Sequence, residues 1–244
     1  PTQRQAKENR AKQLSGGKAP KARVARYLKS TAATLQEGGK ATLLLNGQTC
    51  SADMGQVLQE LRAIKAPSSK LLSKKNMITA FDMDGQQSLE FLTTKNDCAL
   101  VAMASHNKKR PNNLVLCRTF DRQMLDVAEL GVLRFKSMAD YGGSVPKKRI
   151  GSKPLMLFVG DLWQQSLEHR NLQNLLTDFY RGDVVDKVVV SGFDHLIVFA
   201  LAAEESNTER VLLHQRTYFC KLKKNPEGSS TPVPLLEPCG PDMD

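Results

Sequence analysis

The stretch Ser105-His106-Asn107-Lys108-Lys109-Arg110-Pro111-Asn112-Asn113-Leu114-Val115 holds three consecutive cations between two apolar runs. Pro111 restricts the segment, and Asn112 and Asn113 add neutral donors. Cationic and amide donors on a stiffened loop suit contacts to phosphate and sugar; a solvated hairpin tip is the plainer alternative. A second group, Lys70, Lys74 and Lys75, lies in a polar stretch that reads as a basic loop. A third sits at the amino end, where residues 1–30 carry nine Lys/Arg, including Lys21, Arg23 and Arg26, against Glu8 alone. That end supplies +8 of the formal net charge of +10, so the body is nearly neutral. A basic arm attracts polyanions through counterion release, whatever their sequence.

The sharpest enzymatic candidate is Ile78-Thr79-Ala80-Phe81-Asp82-Met83-Asp84-Gly85. It resembles the first motif of haloacid-dehalogenase-type phosphatases, where one Asp attacks phosphorus and the second acts as acid/base beside Mg²⁺. Gln86 stands where that motif has Thr. Ser88 to Leu92 alternates like a strand, so Asp84-Gly85 reads better as a hairpin turn. Gly160-Asp161 lacks the second Asp a metal site would need, with Gln165 in its place. Gly38-Gly39-Lys40-Ala41-Thr42 lacks the strand and spacing of a phosphate-binding loop. Cys98 and His106 would pair only by tertiary accident, and Cys98 reads as core. His169, His195 and His214 read as structural.

These residues must be carried by recognisable elements. Residues to Pro20 are polar and read as disordered, or ordered only by a partner. Ala41 to Leu45 is a buried strand closed by Asn46-Gly47. Asp53 can cap a helix bearing Met54, Val57, Leu58, Leu61 and Ile64, ended by Pro67. Met77 to Phe81 and Ser88 to Thr93 read as two strands around Asp84-Gly85. Cys98 to Ser105 and Leu114 to Phe120 are strands joined by the basic loop. Asp121 reads as the cap of a short helix through Met124, Leu125, Val127 and Ala128, stopped by Gly131. After a linker the pattern restarts with a strand at Leu155 to Val159, a helix capped by Ser166 and stopped by Gly182, and strands at Asp186 to Val190, Leu196 to Ala202 and Val211 to Leu222. The Pro-rich end should be extended or irregular.

The recurring order of strand, small turn, capped helix and antiparallel strands predicts an α/β protein of two similar halves about a pseudo-two-fold axis. The expected divisions are a basic, flexible extension over 1–28, a first half over 29–138, a linker over 139–153, a second half over 154–224 and a Pro-rich segment over 225–244. Five scattered cysteines without a CxxC pair imply neither a disulfide framework nor a zinc site, and suggest a reducing compartment. No apolar run approaches membrane-spanning length. The missing initiator Met and the end at Asp244 read as a trimmed piece of a longer protein.

Several short motifs, in order, carry a family resemblance: Lys74-Lys75-Asn76, Ser88-Leu89-Glu90-Phe91, Asn96-Asp97-Cys98, the Ser105 to Val115 run, Leu125-Asp126 with Glu129-Leu130-Gly131, Lys153-Pro154-Leu155-Met156, Asp178-Phe179-Tyr180-Arg181-Gly182 and Gly240-Pro241. Over roughly residues 20–244 the chain resembles the Brix family, and within it the branch that handles 5S rRNA. The resemblance implies a Brix domain of two α/β halves, each like the anticodon-binding domain of certain tRNA synthetases. It implies a non-enzymatic ribosome-assembly factor of the nucleus and nucleolus, with no cofactor or metal. The implied partners are regulator of ribosome synthesis 1, as a heterodimer, 5S rRNA, large-subunit rRNA and the 5S-associated ribosomal proteins, with no membrane. Another Brix-family scaffold acting at a different rRNA site is the nearest alternative; a phosphatase using Asp82 and Asp84 is the remote one. Expected RNA-binding residues are Lys108, Lys109, Arg110, Asn112, Asn113, Lys74 and Lys75, assisted by Lys21, Arg23 and Arg26. The family continues past its Gly-Pro motif into an apolar, Arg-rich stretch and a basic tail, whereas this chain stops at Asp244. The Gly142 to Lys148 loop looks divergent, so no role is carried over to it.

Overall fold

The structure, a computed structural model, describes residues 22–31, 39–141, 149–150, 152–184, 192–204, 207–223, 233–239 and 242–243. The chain divides into two compact units, Pro1–Glu37 and Gly38–Asp244. In the first, α1 (Ala22–Thr31) runs across the end of the expected extension over 1–28. Its Ala, Arg, Leu and Lys are good helix formers, and Val24 and Tyr27, three residues apart on one side, are both exposed. Lys21 lies outside the described residues.

The second unit contains two mixed sheets. The first is built from β1 (Thr42–Gly47), α2 (Ala52–Lys65), β2 (Ser69–Asn76), α3 (Met83–Asn96), β3 (Leu100–Ser105), β4 (Asn113–Phe120) and β5 (Gln123–Gly131), with strand order β2-β1-β3-β4-β5. β2, β1 and β3 are parallel, and β4 and β5 antiparallel. The second draws on β6 (Phe135–Lys136), β7 (Leu155–Val159), α4 (Leu162–Gln165), α5 (Leu167–Tyr180), β8 (His195–Glu204), β9 (Asn207–Lys223), β10 (Val233–Pro238) and β11 (Asp242–Met243). Its order is β6-β11-β9-β8-β7, with β10 also on β9. Both sheets share a three-strand motif. β1 lies parallel to β3, which is antiparallel to β4; β7, β8 and β9 repeat that arrangement.

Several expectations change. Ser51, not Asp53, caps α2, accepting from the Met54 N–H at 3.3 Å. The expected basic loop at Lys70 to Lys75 is β2, an edge strand whose lysines blunt further pairing. The expected hairpin around Asp84-Gly85 is the start of α3. Leu89 and Phe91 fit a strand's period and Leu89 and Leu92 a helix's, and the helix buries Leu89 with Gly85 and Thr93 and turns Phe91 outward. Gly85 serves packing rather than a turn: a Cβ there would stand 1.8 Å from the Thr79 carbonyl oxygen. The expected helix after Asp121 is β5. Asp121 and Arg122 both have positive φ, 47° and 65°, forming a two-residue hairpin connection from β4 that lacks the usual Asn-Gly signature. The Pro-rich end contributes β10 and β11, and the Phe135–Lys136 strand pairs with β11 in the second sheet. The expected strand at Asp186 to Val190 and the Gly142 to Lys148 loop lie outside the described residues.

The main core lies between the sheets. Leu44, Ala102, Ala104, Leu114 and Leu116 pack with α2, with Phe179 and Leu176 of α5, and with Trp163, Ile197 and Phe199. A second core on the other face of the first sheet joins Leu43, Leu45, Val101, Met103, Val115 and Cys117 to Leu89 of α3. Polar links tie the layers together. Arg118 donates to Asp178 on α5 at 2.6 Å and pairs with Asp126 at 2.5 Å, while Lys40 reaches the same Asp178 at 2.5 Å. Burial would raise the Asp178 carboxyl, but bonds from Lys40 and Arg118 outweigh it and hold the group below its ordinary value. The buried Glu60 accepts from the Ser137 hydroxyl at 2.6 Å and the Met138 N–H at 3.0 Å, pinning the crossover between sheets.

Candidate nucleic-acid interface

Because β1, β2 and β3 are parallel, their carboxyl ends share one edge of the sheet. Asn46 pairs in register with Lys75 on one side and Ala104 on the other. Lys74 and Lys75 end β2, and the Lys108-Lys109-Arg110 loop leaves the end of β3, so the two cation groups anticipated separately meet along this edge. All four lysines are exposed.

The loop is held from within and from below. Asn107 Oδ1 accepts from the N–H groups of Lys109 at 3.0 Å and Arg110 at 2.7 Å, and its own N–H donates to the Arg110 carbonyl at 3.1 Å. Below it, the Thr49 hydroxyl donates to the His106 carbonyl at 2.5 Å, and the His106 N–H donates to the Thr49 carbonyl at 2.9 Å. Asn112 adopts a left-handed φ of 44°, which Asn tolerates. Its N–H donates to His106 Nδ1 at 3.1 Å, and its Oδ1 accepts from Ser51, the α2 cap, at 2.9 Å. Asn113 is buried and donates to Glu129 Oε1 at 2.6 Å. The two asparagines therefore shape the loop, and Lys108 and Lys109 are the side chains it presents.

Arg110 is placed differently. Its guanidinium donates to the same Glu129 Oε1 at 2.6 Å and lies over the Phe81 ring, 5.6 Å from its centroid. Arg110, Phe81 and Glu129 help line a cavity of about 250 Å³, with Gln48, Asn76 and Asn107 also on its wall. Phe81, Glu129 and Gln48 belong to three distant sequence segments, and none carries a local signal for this role. Arg23 and Arg26 are exposed on α1, in the other compact unit.

The enzymatic candidates are dispersed. Asp82 is the N-cap of α3 and Asp84 is in its first turn, six residues and more beyond the end of β2 rather than directly on a strand end. Cys98 is buried before β3 and His106 follows it, at opposite ends of one strand; burial raises the Cys98 thiol. The Cys117 thiol is pushed up to about 12 by burial and then by Asp126. Among the described residues, no group of three or more His, Cys, Asp or Glu is arranged to hold a metal ion, and no helix is long and apolar enough to cross a membrane.

A family model for the Brix domain matches residues 47–244, from the end of β1 through β11. The chain belongs to the Brix-domain family. Among curated proteins, this Brix chain is 38% identical to the ribosome production factor 2 homolog of Mus musculus over 222 residues, covering 91% of this chain and 68% of that one. The Arabidopsis thaliana homolog of the same name is 38% identical, over 90% of this chain and 68% of its own. The ribosome biogenesis protein RPF2 of Saccharomyces cerevisiae is 32% identical, over 91% and 64%. Among solved structures, a probable ribosomal biogenesis protein from Aeropyrum pernix K1 aligns over 84% of this Brix chain and 94% of its own at a TM-score of 0.49 and 9% identity.

Proposed function

We propose that this Brix-domain chain is a ribosome-assembly factor of the nucleolus that binds rRNA and carries 5S rRNA, with its ribosomal proteins, into the nascent large subunit. The role is binding, without catalysis. The carrying observation is the convergence of Lys74, Lys75, Lys108 and Lys109 on one end of the first sheet, in a nearly neutral body whose relatives are named for ribosome production. Clustered ammonium groups neutralise phosphate wherever a backbone runs across them, and release its counterions.

The second sheet supports the partner reading. β7 is an edge strand whose Leu155, Leu157 and Val159 are exposed, in register with Leu196, Val198 and Ala200 of β8. Within the same compact unit no described helix packs on that face, whereas α3 covers the comparable face of the first sheet. An amphipathic segment of a second protein would complete it, and the family resemblance names regulator of ribosome synthesis 1 as that chain. We further take the shared three-strand motif as the trace of two halves related by a pseudo-two-fold axis.

The test is titration of 5S rRNA by fluorescence anisotropy at several salt concentrations, on the chain co-expressed with that partner. K108A/K109A should weaken binding and flatten the plot of log affinity against log salt by about two units, one per lost phosphate contact. R110A should change the slope less, because its charge is already paired with Glu129. Unchanged affinity and slope in the double variant would remove this edge as the RNA surface.

A further inference from the structure

Resting on that reading, we infer that the cavity beside the lysines is a receptor for one unpaired nucleobase of the bound RNA, with guanine preferred.

The cavity opens at the carboxyl end of the parallel strands, beside the loop of Lys108 and Lys109, within reach of a nucleotide whose phosphate those lysines hold. Its volume is about 250 Å³. One wall is the Arg110–Phe81 pair, a guanidinium set over an aromatic ring at 5.6 Å. Flat π and guanidinium surfaces are the ones on which splayed-out bases stack. Gln48 supplies an amide donor and acceptor, whereas Asn76 offers only its Oδ1, because its N–H₂ donates to the Lys74 carbonyl at 2.9 Å and the Asn46 carbonyl at 3.4 Å. Asn107 Oδ1 is committed to the loop backbone, which leaves its amide N–H₂ to donate outward.

Glu129 gives the selectivity. Its hydrogen bonds from Arg110 and Asn113 fall on Oε1, so Oε2 is the acceptor this cavity-lining residue can offer. A carboxylate accepts from base amino groups and ring N–H groups. Guanine presents two adjacent donors on its Watson–Crick edge, which can converge on the two lone pairs of the single free oxygen Oε2, and carbonyl and ring-nitrogen acceptors on its other edge for the amide donors. Adenine and cytosine offer an amino group without a neighbouring ring N–H, and uracil offers a single ring N–H. A paired base has its edge occupied by its partner, so the cavity selects single-stranded or looped RNA, while the lysines alone do not discriminate.

Anisotropy titration of the full chain with labelled single-stranded hexanucleotides tests this, using one with a central guanosine in a uridine background, an all-uridine one, and a duplex of the first with its complement. We expect the guanosine strand to bind tightest and the duplex no better than the all-uridine strand. Phe81 is exposed, so F81A leaves the core intact; it should weaken the guanosine strand by roughly 5- to 100-fold, the range for loss of one base–aromatic stack. E129Q should reduce the preference for guanosine over uridine, and K108A/K109A should weaken all strands together without changing their ranking. Salt-sensitive binding with no base preference, or with a preference untouched by F81A and E129Q, overturns the nucleobase receptor but leaves the lysine edge standing. No salt-sensitive binding to any RNA, including intact 5S rRNA, overturns both.

Discussion

The two sheets share a strand motif but not an environment. In the first, residues on both faces of β1, β3 and β4 are buried, because α2 and the second sheet lie on one side and α3 on the other. In the second, burial alternates along β7, β8 and β9, and among the described residues only one face meets the core. Yet the outward positions are not polar as a solvated antiparallel face would be; Leu155, Leu157, Val159, Leu196 and Val198 occupy them. Among the described residues of this unit, similar strand order therefore produces a closed module and an open one, and the difference is the covering helix α3. The closed module presents the candidate RNA edge on a rigid base, and the open one presents the surface a partner would complete.

The largest expected effect contrasts these faces directly. L89A, on α3 beneath the closed face, should cost about 2–5 kcal/mol of unfolding free energy, read from the denaturant midpoint. L157A on the open face should stay within about 0.5–1 kcal/mol in the chain alone. When co-expressed with the proposed partner, L157D should fail to co-purify with it, whereas the exposed variant K95A should co-purify. Equal costs for L89A and L157A would mean that the chain covers its own second sheet.

A smaller effect comes from two glycines that helix propensity alone would treat alike. G85A drives a methyl group into the Thr79 backbone and should destabilise by at least about 1–3 kcal/mol, loosening α3 from the closed face. Gly55 in α2 has nothing within 4 Å of an added Cβ, so G55A should stabilise by about 0.4–1 kcal/mol. Same-sign shifts in melting temperature would show that α3 does not approach Thr79 as closely as described.

The smallest effect concerns the polar tie between the layers. The Asp178 carboxyl is lowered in the fold, so its stabilising contribution is complete above the ordinary value of 3.8 and is lost as pH falls through the folded value. D178N should lower the melting temperature at neutral pH, and the difference from the unsubstituted protein should shrink as the solution is acidified below that value. A difference that stays constant with pH would indicate that Asp178 is not ion-paired with Arg118 and Lys40.

Much of the scaffold was legible in local patterns. The β1 run, the Met54-Val57-Leu58-Leu61-Ile64 stripe, the paired strands around the basic loop and the Ser166-capped helix all follow from apolar period and capping chemistry. The misreadings fall where one pattern fits two periods. Leu89 and Phe91 alternate like a strand while Leu89 and Leu92 are spaced like a helix, and Met124 to Ala128 are spaced like a helix; in each case the neighbouring layer chose. The Asp121-Arg122 turn was hidden because positive φ at both positions is usually announced by Asn or Gly.

The site divides along the same line. The order of residues by itself determined the lysine groups, the stiffened loop, the near neutrality of the body and the family motifs, because charge, proline and local spacing are properties of adjacent residues. Only the tertiary structure decided that Lys75 and the β3 loop share one edge, that Glu129 would claim Arg110 and Asn113, and that Phe81 would stand under that arginine. Those contacts join segments separated by tens of residues. They depend on strand register and on which helix covers which face, quantities that emerge when the layers pack.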